Sequence, residues 1–281
     1  MQAGADTLWD NAPSASVDIR SVLERAGLPT STAQIRLLDR FRDYYASRGV
    51  LPKGKNPPLW RCCERRDICW AGVPDEWKRP ETGGITLPWV GPRYDKTRVA
   101  VLADNLRNAG GLFVEQQVVS EVRAGFGDGQ RRVHNSVFAY RSTAAAAALI
   151  ANAAGEAVPE DKPDPRKLIP ALDAYARLQV VKCSPADGAL STPPPAMQRE
   201  SPDRYLADEL RLAAPLNLLV LGRVARDAVA RVLGVEWDWT PGLARGAITV
   251  ERRQCDVYCV AHPAARGHWW RSWASLKKAL A

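Results

Sequence analysis

Residues 216–223 read LNLLVLGR and residues 255–264 read CDVYCVAHPA, and these two stretches decide the fold. Each is an apolar run that stops abruptly at a polar turn, Gly222-Arg223 in the first and His262-Pro263 in the second. Uninterrupted runs of this length mark strands covered on both faces, as in a parallel sheet, rather than the alternation of a half-solvated strand. Outward from them, residues 98–103 (RVAVLA) and 176–183 (ARLQVVKC) repeat the grammar. Helical periodicity fills the intervals: residues 111–122, 142–154, 203–212 with Ser201 or Asp203 as cap, 224–233, and 269–280, where Trp269 and Trp273 share a face. Strands alternating with helices predict an α/β protein, a three-layer α/β/α sandwich around a central parallel sheet of four strands. Ligands bind such sheets beyond the carboxyl ends of the strands. His262 is therefore the first place to look for chemistry.

The amino-terminal third has a different texture. Residues 17–48 predict two helices, the second capped by Thr30 or Ser31 and carrying Ile35, Leu38, Phe41 and Tyr45 near helical period. A linker (LPKGKNPP, 51–58) leads to a cysteine-dense segment (RCCERRDICW, 61–70) and then a stretch rich in Pro, Gly and Trp. The chain divides into a helical and irregular cysteine-containing extension, residues 1–83, and an α/β/α domain, residues 84–281.

Composition narrows the class. The chain has 281 residues, 46% of them hydrophobic and 25% charged, as in a folded globular protein. No apolar run approaches the roughly 20 residues that span a bilayer, so no membrane partner is expected. The start (MQAGADTLWDNAPS) has no basic region followed by an apolar stretch, so a cytoplasmic monomer is expected. In that compartment the six cysteines, at 62, 63, 69, 183, 255 and 259, do not form a disulfide framework. Cys255 and Cys259 fall on one face of a strand as small buried residues. The net charge of +8 suits a polyanionic partner.

Four anchors together resemble the uracil-DNA glycosylase superfamily, nearest its iron–sulfur-containing bacterial and archaeal branch. They are residues 101–114 (VLADNLRNAGGLFV), 178–185 (LQVVKCSP), 205–229 (YLADELRLAAPLNLLVLGRVARDAV) and 260–267 (VAHPAARG). The resemblance implies a monofunctional DNA glycosylase that flips a nucleotide out of the helix and hydrolyses its N-glycosidic bond, leaving an abasic site. It assigns His262 as donor to the departing base, and Asp104 or Asn105 to hold the water and stabilise the positive sugar. Phe113 would stack on the flipped base and Gln179 would read its edge. Arg266 would enter the base stack or grip a phosphate, with Gly267 permitting close approach. No lysine matches a Schiff-base position. DNA carrying the target base, single- or double-stranded, is the implied partner.

The departures are as informative. Ala103 and Leu106 stand where relatives carry Gly and Pro in the catalytic turn, and Gln179 stands where they carry Asn. A lengthened reading amide shifts the pairing pattern of the pocket. It points beyond uracil to a modified pyrimidine, such as hypermodified cytosine in phage DNA, and to a defence role. The branch's cluster ligands correspond to Cys62 or Cys63, Cys69 and Cys183; the fourth, expected near residues 199–204 (RESPDR), has no cysteine. A metal-free remnant with buried thiols is the favoured reading, and the hydrolysis itself requires no cofactor. The alternative function is a DNA-binding protein that keeps the fold without the reaction.

Overall fold

The structure, a computed structural model, describes residues 17–51, 61, 63–75, 85–104, 112–133, 136–182, 193–265 and 267–281. Its strands are β1 (Trp89–Val90), β2 (Val99–Ala103), β3 (Tyr175–Gln179), β4 (Asn217–Leu221), β5 (Asp238–Thr240), β6 (Leu243–Val250) and β7 (Arg253–Val260). They form one sheet in the order β1-β3-β2-β4-β7-β6-β5. Strands β3, β2, β4 and β7 pair in parallel. Every residue of β2 and β3 is buried; β2 is continuously apolar, while β3 buries Arg177 and Gln179 among its apolar residues.

The sheet is larger than the four strands the apolar runs predict. β1 adds antiparallel to β3 at one edge, and the β5–β6 hairpin adds antiparallel to β7 at the other. The β5–β6 hairpin lacks a continuous apolar run because one side meets water: burial along β6 broadly alternates, and β5 is exposed throughout; β1 is buried but only two residues long.

The helices are α1 (Ile19–Arg25), α2 (Thr32–Ser47), α3 (Arg66–Cys69), α4 (Tyr94–Thr97), α5 (Val114–Gly127), α6 (Phe138–Ala153), α7 (Pro165–Leu172), α8 (Pro195–Ala213), α9 (Arg223–Leu233) and α10 (His268–Leu280). Ser31 opens α2 with a reciprocal capping box to Gln34. α8 departs from expectation. It begins at Pro195, whose fixed φ suits the first helical position, and Ser201 and Asp203 lie inside it. Ser201 is buried instead, where its Oγ accepts from the Lys182 backbone N–H at 3.0 Å and donates to the Val180 carbonyl at 3.2 Å. The hydroxyl that looked like a cap ties α8 to the end of β3.

The described part of the amino-terminal extension shares one hydrophobic cluster with the sheet, Leu38, Phe41 and Tyr45 joining the β-strand residues. Tyr45 donates its hydroxyl to Glu209 at 2.7 Å, and Glu209 also pairs with buried Lys182 at 2.5 Å. Trp269 and Trp273 both enter the core. Among the described residues, no helix is long and apolar enough to cross a membrane. Four described non-glycine residues hold left-handed φ: Arg98 (52°), Ala214 (48°), Glu251 (48°) and Arg252 (64°). Each such residue costs on the order of 1 kcal/mol.

Candidate active site

The chain runs from β2 to β3 on one side and then returns to place β4 on the other side of β2. In sheets of this kind ligands bind beyond the carboxyl ends of the strands at such a reversal, which here falls between β2 and β4. The four parallel strands end, in spatial order, on Gln179 (β3), Ala103 followed by Asp104 (β2), Leu221 followed by Gly222 (β4), and Val260 followed by Ala261-His262 (β7). Three residues expected at a site, Gln179, Asp104 and His262, therefore end up at one pole of the sheet.

His262 is held by its own loop. Its Nδ1 accepts the Ala264 backbone N–H at 3.2 Å, and its carbonyl accepts the Ala265 N–H at 2.8 Å. A neutral imidazole that accepts at Nδ1 carries its proton on Nε2. The loop is anchored from outside: the Ala261 N–H donates to buried Ser272 at 3.0 Å, and Arg141 donates to the Pro263 carbonyl at 2.5 Å. The Phe138 ring lies 5.3 Å from the imidazole, centroid to centroid. Gly222, at φ +88°, backs the histidine, and a Cβ there would stand 3.0 Å from His262 Cβ. Only glycine fits both the backbone and the space.

Asp104 flanks the same turn from the other side. Burial pushes its carboxyl up from 3.8 to about 6, while a hydrogen bond from the Ala225 N–H pulls the other way. Ala225 lies in the first turn of α9, so the carboxylate sits at the positive end of that helix. Its Oδ1 is buried with no hydrogen-bond partner among the described residues. The turn from Gly222 to Ala225 thus touches His262 at one end and Asp104 at the other.

Gln179 is 5% exposed and its amide is held in place. Its Nε2 donates to Glu115 Oε1 at 3.0 Å, while Arg177 grips Glu115 with two nitrogens, Nη2 to Oε2 at 2.7 Å. Glu115 and Arg177 are 0% and 3% exposed, a buried bidentate pair. The Gln179 Oε1 is buried without a partner among the described residues. Phe113 immediately precedes α5 and lies within the hydrophobic cluster, 2% exposed.

Beside His262 opens a cleft of about 440 Å³, with Gly222, Arg223, Arg226, Trp239 and Arg271 on its walls. The Arg226 guanidinium lies 5.1 Å from the Trp239 ring centroid, and Trp239 is 59% exposed. Arginines interleaved with an exposed indole make a surface on which nucleic acid can lodge phosphates and stack bases. The motif reading missed these residues because it passed over the hairpin that carries Trp239. The signal was Pro241-Gly242, a strong turn pair between WDWT and LARGAITV.

Asn105 and Arg266 lie outside the described residues. Gly267 has φ +80° and no heavy atom within 4 Å of an added Cβ. Its backbone angle, rather than a packed neighbour, is what calls for glycine. Of the proposed cluster cysteines, Cys62 and Cys183 also lie outside the described residues. Cys63 and Cys69 are buried, and burial, then Cys63, push the Cys69 thiol up to about 12. The Cys63 sulfur is 4.0 Å from the Tyr205 hydroxyl. Two buried thiols do not by themselves make a four-thiolate site, and no group of three or more metal-ligating side chains occurs among the described residues.

No protein-family model matches the chain, and no curated protein matches it in sequence.

Proposed function

We propose that this protein is a DNA glycosylase of the α/β/α three-layer type, removing uracil or a modified pyrimidine by hydrolysis. One observation carries the reading: the turn Gly222 to Ala225 lies against His262 at Gly222 and donates the Ala225 N–H to the Asp104 carboxylate, where the strand order reverses. N-glycosidic cleavage needs little nucleophilic force. The sugar develops positive charge while the base leaves as an anion, so the enzyme must donate to the base and stabilise the sugar. His262, with its proton on Nε2, is the donor to the departing base. Asp104, its carboxyl pushed up by burial to about 6, is more basic than an ordinary carboxylate and still ionised at neutral pH, as a group that takes a proton from the attacking water in the transition state must be. Asn105 assists in holding that water. Gln179, fixed by Glu115, offers its unpartnered Oε1 to the edge of the flipped base. Phe113, expected to stack on the flipped base, is packed in the core instead and takes no part in this reading. Trp239, Arg226 and Arg271, with Arg266 and Gly267, engage the DNA around it. The chemistry needs no metal cofactor.

The test incubates the protein with DNA carrying uracil, unmodified cytosine or phage-type modified cytosines, then cleaves abasic sites with alkali. A nick on one substrate, lost in Asp104→Asn and His262→Ala and reduced in Asn105→Ala, supports the proposal and names the base. Salt-sensitive DNA binding with no nick on any substrate overturns it in favour of a non-catalytic DNA-binding protein.

A further inference from the structure

A second cleft, of about 840 Å³, opens at the opposite pole of the sheet. Its walls come from four separated segments: α2, the residue before β2, the end of α8, and the β6–β7 turn. Five guanidinium groups, those of Arg40, Arg48, Arg98, Arg211 and Arg253, face two carboxylates, Asp208 and Glu251. The six peptide steps from Arg98 to Asp104 put about 20 Å between this cleft and the proposed active site.

Part of this charge has a structural explanation. Arg98 donates to the Ala213 and Ala214 carbonyls at 3.2 and 3.4 Å, closing the carboxyl end of α8. Asp208 binds Arg48, takes a 2.5 Å contact from Arg211 and accepts the Tyr44 hydroxyl at 3.3 Å. Those bonds account for three arginines and hold two of them in fixed positions. They leave Arg40 and Arg253, both exposed, with no hydrogen bond or ion pair to the described residues. With Glu251 as the other carboxylate on the walls, five guanidinium groups against two carboxylates leave three positive charges in excess; an excess of one sign gathered in a concavity raises the local potential and concentrates anions there.

The backbone singles out the same place. Of the four left-handed non-glycine residues described, Arg98, Ala214 and Glu251 line the cleft, and Arg252 is the next residue in the turn. The two-residue turn of the β6–β7 hairpin holds both central residues at positive φ, where Asn-Gly is the favoured pair, yet it carries Glu251-Arg252. Strain of this kind gathers where a local geometry is used.

We propose that this cleft is an anion site for a compact phosphate chain, the polyphosphate of a nucleotide or a free oligophosphate. Guanidinium groups converging from four segments suit adjacent phosphates, and the volume is that of a small-ligand pocket. The inference does not rest on the glycosylase reading.

Calorimetric titration of the full chain at constant ionic strength tests it, with tripolyphosphate, ATP and a short DNA duplex as separate probes. Tripolyphosphate is expected to bind one per chain, and Arg40→Ala/Arg253→Ala to weaken it about tenfold or more. Because both side chains are exposed and unbonded, the melting temperature of that variant should stay where it is. His262→Ala should leave the affinity unchanged, since it lies at the other pole. Tighter binding of ATP than of tripolyphosphate identifies a nucleotide; equal binding identifies the bare phosphate chain. The proposal is overturned by no binding of either probe, by undiminished binding in the double variant, or by loss of binding in His262→Ala. It is equally overturned if only the DNA duplex binds through these arginines, which would make the cleft a nucleic-acid track.

Discussion

Asp104→Asn should make the protein more stable at neutral pH while abolishing base release. Burial pushes the carboxyl up to about 6 in the folded chain against 3.8 when freely solvated, a gap of about two. At about 1.4 kcal/mol per unit, holding the ionised form in place costs the fold about 3 kcal/mol. A folded-state value above the unfolded one means that the native state binds the proton more tightly. The protonated form's contribution is full below pH 3.8 and is lost as pH rises through 6, so the cost is largest at pH 7 and above. Asparagine keeps an acceptor for the Ala225 N–H without the buried charge. For a chain of 281 residues, whose unfolding entropy scales to about 0.6 kcal/mol/K, the gain is a rise in melting temperature of about 5 °C. Thermal unfolding followed by circular dichroism at pH 7.5 and pH 4.5 is the assay. The variant's advantage should shrink at pH 4.5 to about a third of its value at pH 7.5. An advantage independent of pH, or a wild type more stable at pH 7.5, would refute the reasoning and place the carboxylate in a stabilising ionic environment.

Three further outcomes follow from the geometry. Glu115→Ala leaves Arg177 buried and unpaired and frees the Gln179 amide; it should cost about 3–5 kcal/mol in urea unfolding, much of it recovered when Arg177→Met is added. Gly222→Ala meets both φ +88° and a 3.0 Å contact with His262 Cβ; it should destabilise by about 1–2 kcal/mol and reduce base release while leaving DNA affinity, measured by fluorescence anisotropy, near wild type. Trp239→Ala removes an indole that is 59% exposed; stability should move by less than about 0.5 kcal/mol, and DNA affinity should fall about tenfold or more if a base stacks there.

The legible part of the fold was the part in which a strand is buried on both faces. VAVLA in β2 and NLLVL in β4 cannot be satisfied except inside a covered sheet, and the chain places them there. The sequence predicts Thr30 or Ser31 as the cap of α2; the structure puts Ser31 there, with Gln34 completing a capping box. Edge strands left a weaker trace. LARGAITV has one face in water and a Gly246 in the middle, so its apolar residues never run together. Ser201 misled for a related reason. A serine before a helical pattern satisfies a helix end or a neighbouring strand with the same hydroxyl, and only tertiary structure decides between them.

The location of the candidate site was legible one strand at a time and illegible as an arrangement. Asp104 and His262 each follow an apolar run, and a polar residue in that position is as often a plain turn former. What separates a site from a turn is which strands are neighbours, and that order is not in any local pattern. The sequence order of the parallel strands is β2, β3, β4, β7, and the spatial order is β3, β2, β4, β7. Exchanging the first two is the step that makes β2 and β4 adjacent and brings Asp104 against the first turn of α9. Had β3 been inserted between β2 and β4, Gln179 would stand between Asp104 and the Gly222 turn, and the carboxylate would lose the Ala225 N–H. The same exchange leaves the amino ends of β2, β4 and β7 side by side, which is where Arg98, Ala214 and Arg253 gather. One reversal of strand order thus defines both poles, a carboxyl end that collects His262 with a buried carboxylate and an amino end that collects guanidinium groups.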